Sequence, residues 1–153
     1  MLTSSQVADY FIARAHEAGD PVTNLKLQKL VYYAQAWHLA LYRKRLIRER
    51  FQAWVHGPVE PELYARFKPY GWSPIDADVE MPDMSSKERA HLDDVFEAYG
   101  AFTALQLERM THAEAPWLKA RDGIPNDEPS TAVISEADMT SYYRARVTGK
   151  KAK

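Results

Sequence analysis

A chain of 153 residues that is 46% apolar and 12% aromatic has the size and composition of one globular domain with a single core. With 20 basic groups against 21 acidic ones the net charge is −1, so no whole-molecule field draws it to nucleic acid or to a membrane. The absence of cysteine excludes disulfides, thiolate metal sites, iron–sulfur clusters and a cysteine nucleophile. No apolar run approaches the roughly 18 residues of a membrane span, and the start lacks a basic-then-apolar leader pattern, so a reducing cytoplasm is the expected compartment. The charge is uneven along the chain: +4 over residues 1–50, −6 over 51–100 and +1 over 101–153.

Helix starts carry the clearest local signals. Thr3-Ser4-Ser5-Gln6 reads as a capping box, in which the hydroxyl accepts from the third helical amide and the glutamine reaches back. Val7, Ala8, Phe11, Ile12 and Ala15 then form one apolar face, and Gly19 offers a left-handed stop. Thr23 opens a second helix whose Leu27, Leu30, Val31, Ala34, Trp37, His38 and Leu41 recur at three and four residues. Leu25, Tyr32, Tyr33 and Leu39 widen that surface, the pattern of a central helix packed on more than one side. Arg43, Lys44 and Arg45 close it at the negative end of the dipole.

From Ile47 to Val55 the period shifts to two, which predicts a short strand paired with residues near 45–48. Gly57-Pro58 breaks it. Pro61 suits the first turn of a third helix with Leu63, Tyr64 and Phe67 on its inner face. Residues 72–84, with two prolines and four acids, read as an exposed connection with room for a short strand at 78–81. Further capping boxes at Ser85–Glu88 and Thr103–Gln106 predict two helices meeting at a bend near Gly100. Pro116 starts a brief turn ending at Gly123, residues 124–134 read as loop, and Ser135 caps a last helix. The expected architecture is mainly α: a compact single-domain bundle of about six helices with a small β-hairpin around residues 45–55. The domain is expected over residues 1–146, with a short basic flexible tail at 147–153.

The chemistry of the chain is sparse. None of His16, His38, His56, His91 and His112 pairs with another at helical spacing, so no metal site is expected; His16 and His91 read as exposed and the other three as packing residues. No nucleophile elbow and no glycine-rich phosphate cradle is present. Glu60 and Glu62 point to different helix faces, and Glu60 reads as a dipole partner of the third helix. Five cations between Arg43 and Arg50 could grip a phosphate backbone, although a helix end followed by a solvated hairpin accounts for them as well. The eight acids over 76–97 read as a solvated loop and helix face, with mimicry of nucleic acid toward a basic partner as the alternative.

The order of motifs carries more. The run VTNLKLQKLVYYAQAW over residues 22–37, which includes Leu27, Gln28, Leu30, Tyr32 and Tyr33, resembles the signature helix of the Panacea antitoxin domain family, also called SocA-like or phage-associated GepA-like. The run FQAWVHGPV over 51–59, with Gly57 and Pro58, followed by Pro61 and Tyr64, resembles its second motif. His112, Glu114, Pro116 and Trp117, then Ala120 and Arg121, resemble the third, so the likeness spans about residues 4–146. The resemblance implies a mostly helical, non-enzymatic domain without cofactor that neutralises a cognate toxin protein by direct contact. Delivery of that toxin to an ATP-dependent protease is a variant of the same role. A nucleic-acid-binding regulator using residues 43–50 is the alternative reading.

Most of these motif residues read as scaffold. Lys26, Gln28 and Lys29 lie off the apolar stripe and are expected either to meet a partner or to cap a neighbouring element, and His56-Gly57-Pro58 to fix a strand-to-helix corner. The partner-binding set expected from the sequence is Lys26, Lys29, Arg43, Lys44, Arg45, Trp54 and His56.

Overall fold

The computed structural model describes the backbone of residues 1–152 and the side chains of residues 1–147. The elements run α1 (Ser4–Glu17), α2 (Asn24–Tyr42), β1 (Gln52–Trp54), β2 (Gly57–Val59), α3 (Pro61–Phe67), a single 3-10 turn (Lys68–Tyr70), α4 (Ser86–Tyr99), α5 (Ala104–His112), α6 (Ala115–Arg121) and α7 (Glu136–Ala152). The mainly helical class is as expected. α7 continues to Ala152; the side chains of residues 148–153, most of the expected basic tail, lie outside the described residues.

All three capping boxes form: the Thr3, Ser85 and Thr103 hydroxyls accept from the backbone of Gln6, Glu88 and Gln106, whose side chains bond back. Thr23 caps α2 through Lys26 N–H. Such local pairs satisfy amides that a helix start would otherwise leave open, which is why four residues suffice to place the start. The bend near Gly100 separates α4 from α5 as expected.

α2 is the centre. It packs against α1, α3, α4, α5, α7 and β2, most extensively against α7. Leu27, Leu30, Tyr33, Ala34, Ala36 and Ala40 have no exposed surface. Tyr32 meets Phe51 edge-on at 5.3 Å, and Tyr33 stacks on Tyr99 of α4 at 4.0 Å. Burial on all sides extends to polar positions: Asn24, Gln28, Lys29 and Gln35 are each at most 2% exposed.

Those polar side chains hold the loops. The Gln35 oxygen accepts from Leu46 and Ile47 N–H at 2.8 and 3.1 Å, and its amide donates to the Ile47 carbonyl at 3.0 Å. Gln28 accepts Glu60 N–H at 3.0 Å and donates to Asn24, whose own amide donates to the Tyr64 carbonyl. Glu60 in turn caps α3 through Glu62 and Leu63 N–H while accepting the Ser4 hydroxyl at 2.6 Å. The dipole role expected of Glu60 is therefore a full N-cap, buried to 1% exposure.

Two details of the strand pattern differ from expectation. β1 lies inside the predicted strand, but its hairpin partner is β2, with Trp54 opposite Gly57, and not residues 45–48. Residues 45–48 instead carry one isolated parallel bridge, Ile47 with Leu2, because Gln35 already takes their backbone. Residues 78–81 form no strand; the connection is pinned a few residues earlier, where Ile75 is fully buried and its N–H donates to the Val22 carbonyl.

Replacing Gln35 by leucine keeps the volume but strands two buried amides and a carbonyl. Each unsatisfied group costs about 1–3 kcal/mol, so Gln35→Leu is expected to lower unfolding stability by about 2–4 kcal/mol in urea titration. An exposed-face control, Lys119→Gln, is expected to leave it unchanged.

Candidate functional site

The three sequence motifs meet at the turn between β1 and β2. Gly57 adopts φ +106°, which a side chain would strain, and it closes a hairpin whose turn residues, Val55 and His56, keep negative φ. A Cβ at Gly57 would lie 2.8 Å from Lys29 Cε and 2.9 Å from Thr111 Oγ1. The glycine is thus required twice, by its backbone and by the approach of α2 and α5.

Behind this corner the polar groups are unusual. Lys29 is 1% exposed, and its Nζ has no hydrogen-bond partner. Burial pushes its ammonium pKa from 10.5 down to about 7, against the opposing pull of Glu108. His112 bonds the Val55 backbone and stacks on Trp117 at 4.0 Å, and burial lowers its pKa; its Nε2 is buried without a partner. Trp117 donates from Nε1 to the Trp54 carbonyl at 2.8 Å. Arg121, also 1% exposed, lies over the Trp117 ring and donates to the carbonyls of Ala53, Pro125 and Glu128. One guanidinium therefore ties α6, β1 and the loop after α6 together.

Beyond the corner lies surface. His56 is half exposed and its Nδ1 is 2.7 Å from a Glu108 oxygen, one step from buried Lys29. A groove of about 310 Å³ runs between Leu25, Trp54, His56, Val59, Tyr64 and residues 129–131. A second, of about 260 Å³, shares Leu25, His56 and Tyr64 and extends to Lys68 and Trp72. Trp72 is 77% exposed, with its ring 6.1 Å from that of His56. A wide, mostly apolar surface with an imidazole at its centre suits a protein contact better than a reaction.

Of the residues expected to bind a partner, Trp54 and His56 lie in this surface. Lys29 does not, which corrects its expected exposure: it faces β2 and α5 from inside. Gln28 is likewise buried. Lys26 reaches the Gly100 carbonyl at 2.6 Å and lines a different hollow beside α1 and α4. Arg43, Lys44 and Arg45 lie at the far end of α2, about 21 Å along its axis from Lys29. Arg43 is the left-handed cap of α2 (φ 54°), the Lys44 carbonyl meets His38 Nδ1, and Arg45 pairs with Glu136 at 2.7 Å, as does Arg50 at 3.4 Å.

The histidine assignments also shift. His91 is buried, not exposed, and its Nε2 is 2.8 Å from the Ala34 carbonyl; His16 is half-buried against the Ile75 carbonyl. His56 is a surface residue. Carboxylate oxygens of Glu49, Glu60 and Glu62 lie within 4.8 Å of one another, but Glu49 accepts Ser4 N–H and Glu60 serves as the α3 cap, so this is a capping cluster and not an open ligand set. Sequence reasoning missed Glu108, Thr111 and the part played by Arg121, none of which has a local signature.

Half-buried Glu114 completes the third motif. It accepts from the phenols of Tyr33 at 2.9 Å and Tyr143 at 2.8 Å, joining α2, α6 and α7, and burial raises its pKa.

Residues 27–118 match the family model described as "Antitoxin SocA-like, Panacea domain", a narrower span than the 4–146 expected. The chain is similar to "Antitoxin SocA" of Caulobacter vibrioides (strain NA1000 / CB15N), 37% identical over 65 residues. That match spans 42% of this chain and 35% of the relative, so about a third of that protein's length is covered. No solved structure matches. Among the described residues no helix is long and apolar enough to cross a membrane.

The depressed Lys29 pKa gives a signed prediction. Between about pH 7 and 10.5 the unfolded chain holds a proton on Lys29 that the folded chain does not, so stability rises with pH across that window; below it the full penalty of a buried charge applies. Ionisation of Tyr10 and Tyr99, both pushed up to about 12, opposes folding above about pH 10. Urea midpoints at about pH 7 and about pH 9.5 are therefore expected to show a gain at the higher pH. Lys29→Met is expected to be more stable than the natural chain at pH 7 and to lose that gain. Gly57→Ala, strained by φ and by contact, is expected to cost about 1–3 kcal/mol.

Proposed function

The chain belongs to the SocA-like Panacea antitoxin family, and from that premise we propose that it is the antitoxin of a toxin–antitoxin pair, neutralising a toxin protein in the cytoplasm by direct, non-enzymatic binding. What supports the reading most is that all three motif segments build one corner whose outer side is the apolar surface around His56, Trp54, Tyr64 and Trp72. Aromatic side chains of this kind anchor protein interfaces, because a large rigid ring buries much area for little lost rotamer freedom. The basic segment 43–50 supports a nucleic-acid reading less well, since Arg45 and Arg50 are engaged by Glu136.

The test is co-expression with the adjacent open reading frame. Its product alone is expected to arrest growth, and this chain to restore growth and co-purify with it. Trp72→Ala combined with His56→Ala removes exposed side chains only, so the melting temperature is expected to stay within about two degrees while affinity falls by roughly tenfold or more. Protection that persists in hosts lacking ATP-dependent proteases favours masking; protection that vanishes there favours delivery of the toxin for degradation. A neighbour that is harmless, or restored growth without any contact, would overturn the reading.

A further inference from the structure

The loop after α6 ends in an open β edge. Residues 131–134 run antiparallel to β1: Ala53 N–H donates to the Ala132 carbonyl and Ile134 N–H to the Phe51 carbonyl, both at 2.8 Å. The pair between these bonds, Gln52 and Val133, is of the non-hydrogen-bonded kind. In that geometry the N–H and C=O of Val133 both point away from β1. Neither has a partner among the described residues, and Val133 is 53% exposed. The opposite side of this small sheet is closed, since β2 packs against α2 and α5.

No charge or proline falls within residues 130–134. Ser130-Thr131-Ala132-Val133-Ile134 holds three β-branched residues and no charge, whereas exposed edges usually carry lysine, proline or a bulge. Pro129 precedes the strand and does not interrupt it. The same segment walls the groove beside Trp54 and Tyr64 at residues 129–131, so the edge and the groove adjoin at Thr131.

We propose that the edge at residues 131–133 receives an extended segment of the toxin, which adds a strand to this sheet and places a side chain in the adjoining groove. The proposal rests on the antitoxin reading and adds to it the mode of contact. An unpaired donor and acceptor on one residue select an extended backbone, and continuity with the aromatic groove selects the same partner.

The test uses the full chain and the purified product of the adjacent open reading frame. In the complex, the Val133 amide is expected to exchange with solvent roughly tenfold or more slowly than in the chain alone. Val133→Pro removes the outward N–H and spares both bonds to β1, so it is expected to weaken binding roughly tenfold, while Val133→Thr, which keeps the backbone, binds like the natural chain. Should the proline variant fail to fold in a melting experiment, the exchange rate in the natural chain decides alone. Binding with an unprotected Val133 amide overturns the strand addition and leaves the antitoxin reading intact. No binding by the natural chain overturns both. A dimer of the free chain that Val133→Pro dissolves assigns the edge to a second copy and overturns the toxin assignment.

Discussion

A helix whose middle, residues 27–36, is buried on every side has no solvent there to satisfy its polar side chains, and that constraint on α2 organises the rest of the molecule. Asn24, Gln28 and Gln35 lie on a helix that packs against five other helices and the hairpin. Each must find its partners inside, and the groups that need partners there are the backbone atoms of irregular segments. Gln35 takes the turn after α2, Gln28 the start of α3, and Asn24 the body of α3. The central helix thus anchors its own loops, so that loop and helix desolvation are solved by the same bonds.

Lys29 is where this scheme is incomplete. An amide offers a donor and an acceptor and can bridge two backbone groups, but an ammonium offers only donors and carries a charge that burial penalises. The contrast with Arg121 is instructive. Both are 1% exposed, yet the guanidinium spreads its charge over a planar fork that three carbonyls accept. Among the described residues Lys29 has Glu108 as its one opposing carboxylate and no hydrogen-bond partner. Glu108 also holds His56 at the surface, so the least satisfied group of the interior is one carboxylate away from the exposed imidazole of the candidate contact surface.

Legibility in the sequence followed the range of the interactions. Capping boxes at Thr3, Ser85 and Thr103 were readable because both partners lie within four residues. The central position of α2 was readable from apolar positions beyond one stripe. The polar residues between them divide: Gln28 falls off the stripe and holds the start of α3, the capping alternative, whereas Lys29 falls off it and is enclosed, because the middle of α2 has no outer face. Gly57-Pro58 reads as a break, although its pairing with β1 makes it a strand; the backbone φ and the approach of Lys29 and Thr111 show why glycine is needed. Residues 131–134 read as loop because their partner, β1, lies about eighty residues earlier, and Arg121, although part of the third motif, has carbonyl partners that no local pattern reveals.

Stiffness behind a surface bears on what the surface can do. Trp54 and His56 are carried on a turn that Trp117 and His112 hold through the backbone at Trp54 and Val55, and that Arg121 holds at Ala53. A partner meeting this face finds side chains already ordered by bonds made inside the molecule, so less conformational freedom is lost on association. The exposed members of the surface, His56 and Trp72, can then vary without disturbing the fold, because none of the interior bonds passes through them except that of His56 to Glu108. A rigid corner with replaceable aromatic and imidazole groups on its outer side is a physical basis on which one scaffold can be fitted to partners of different shape.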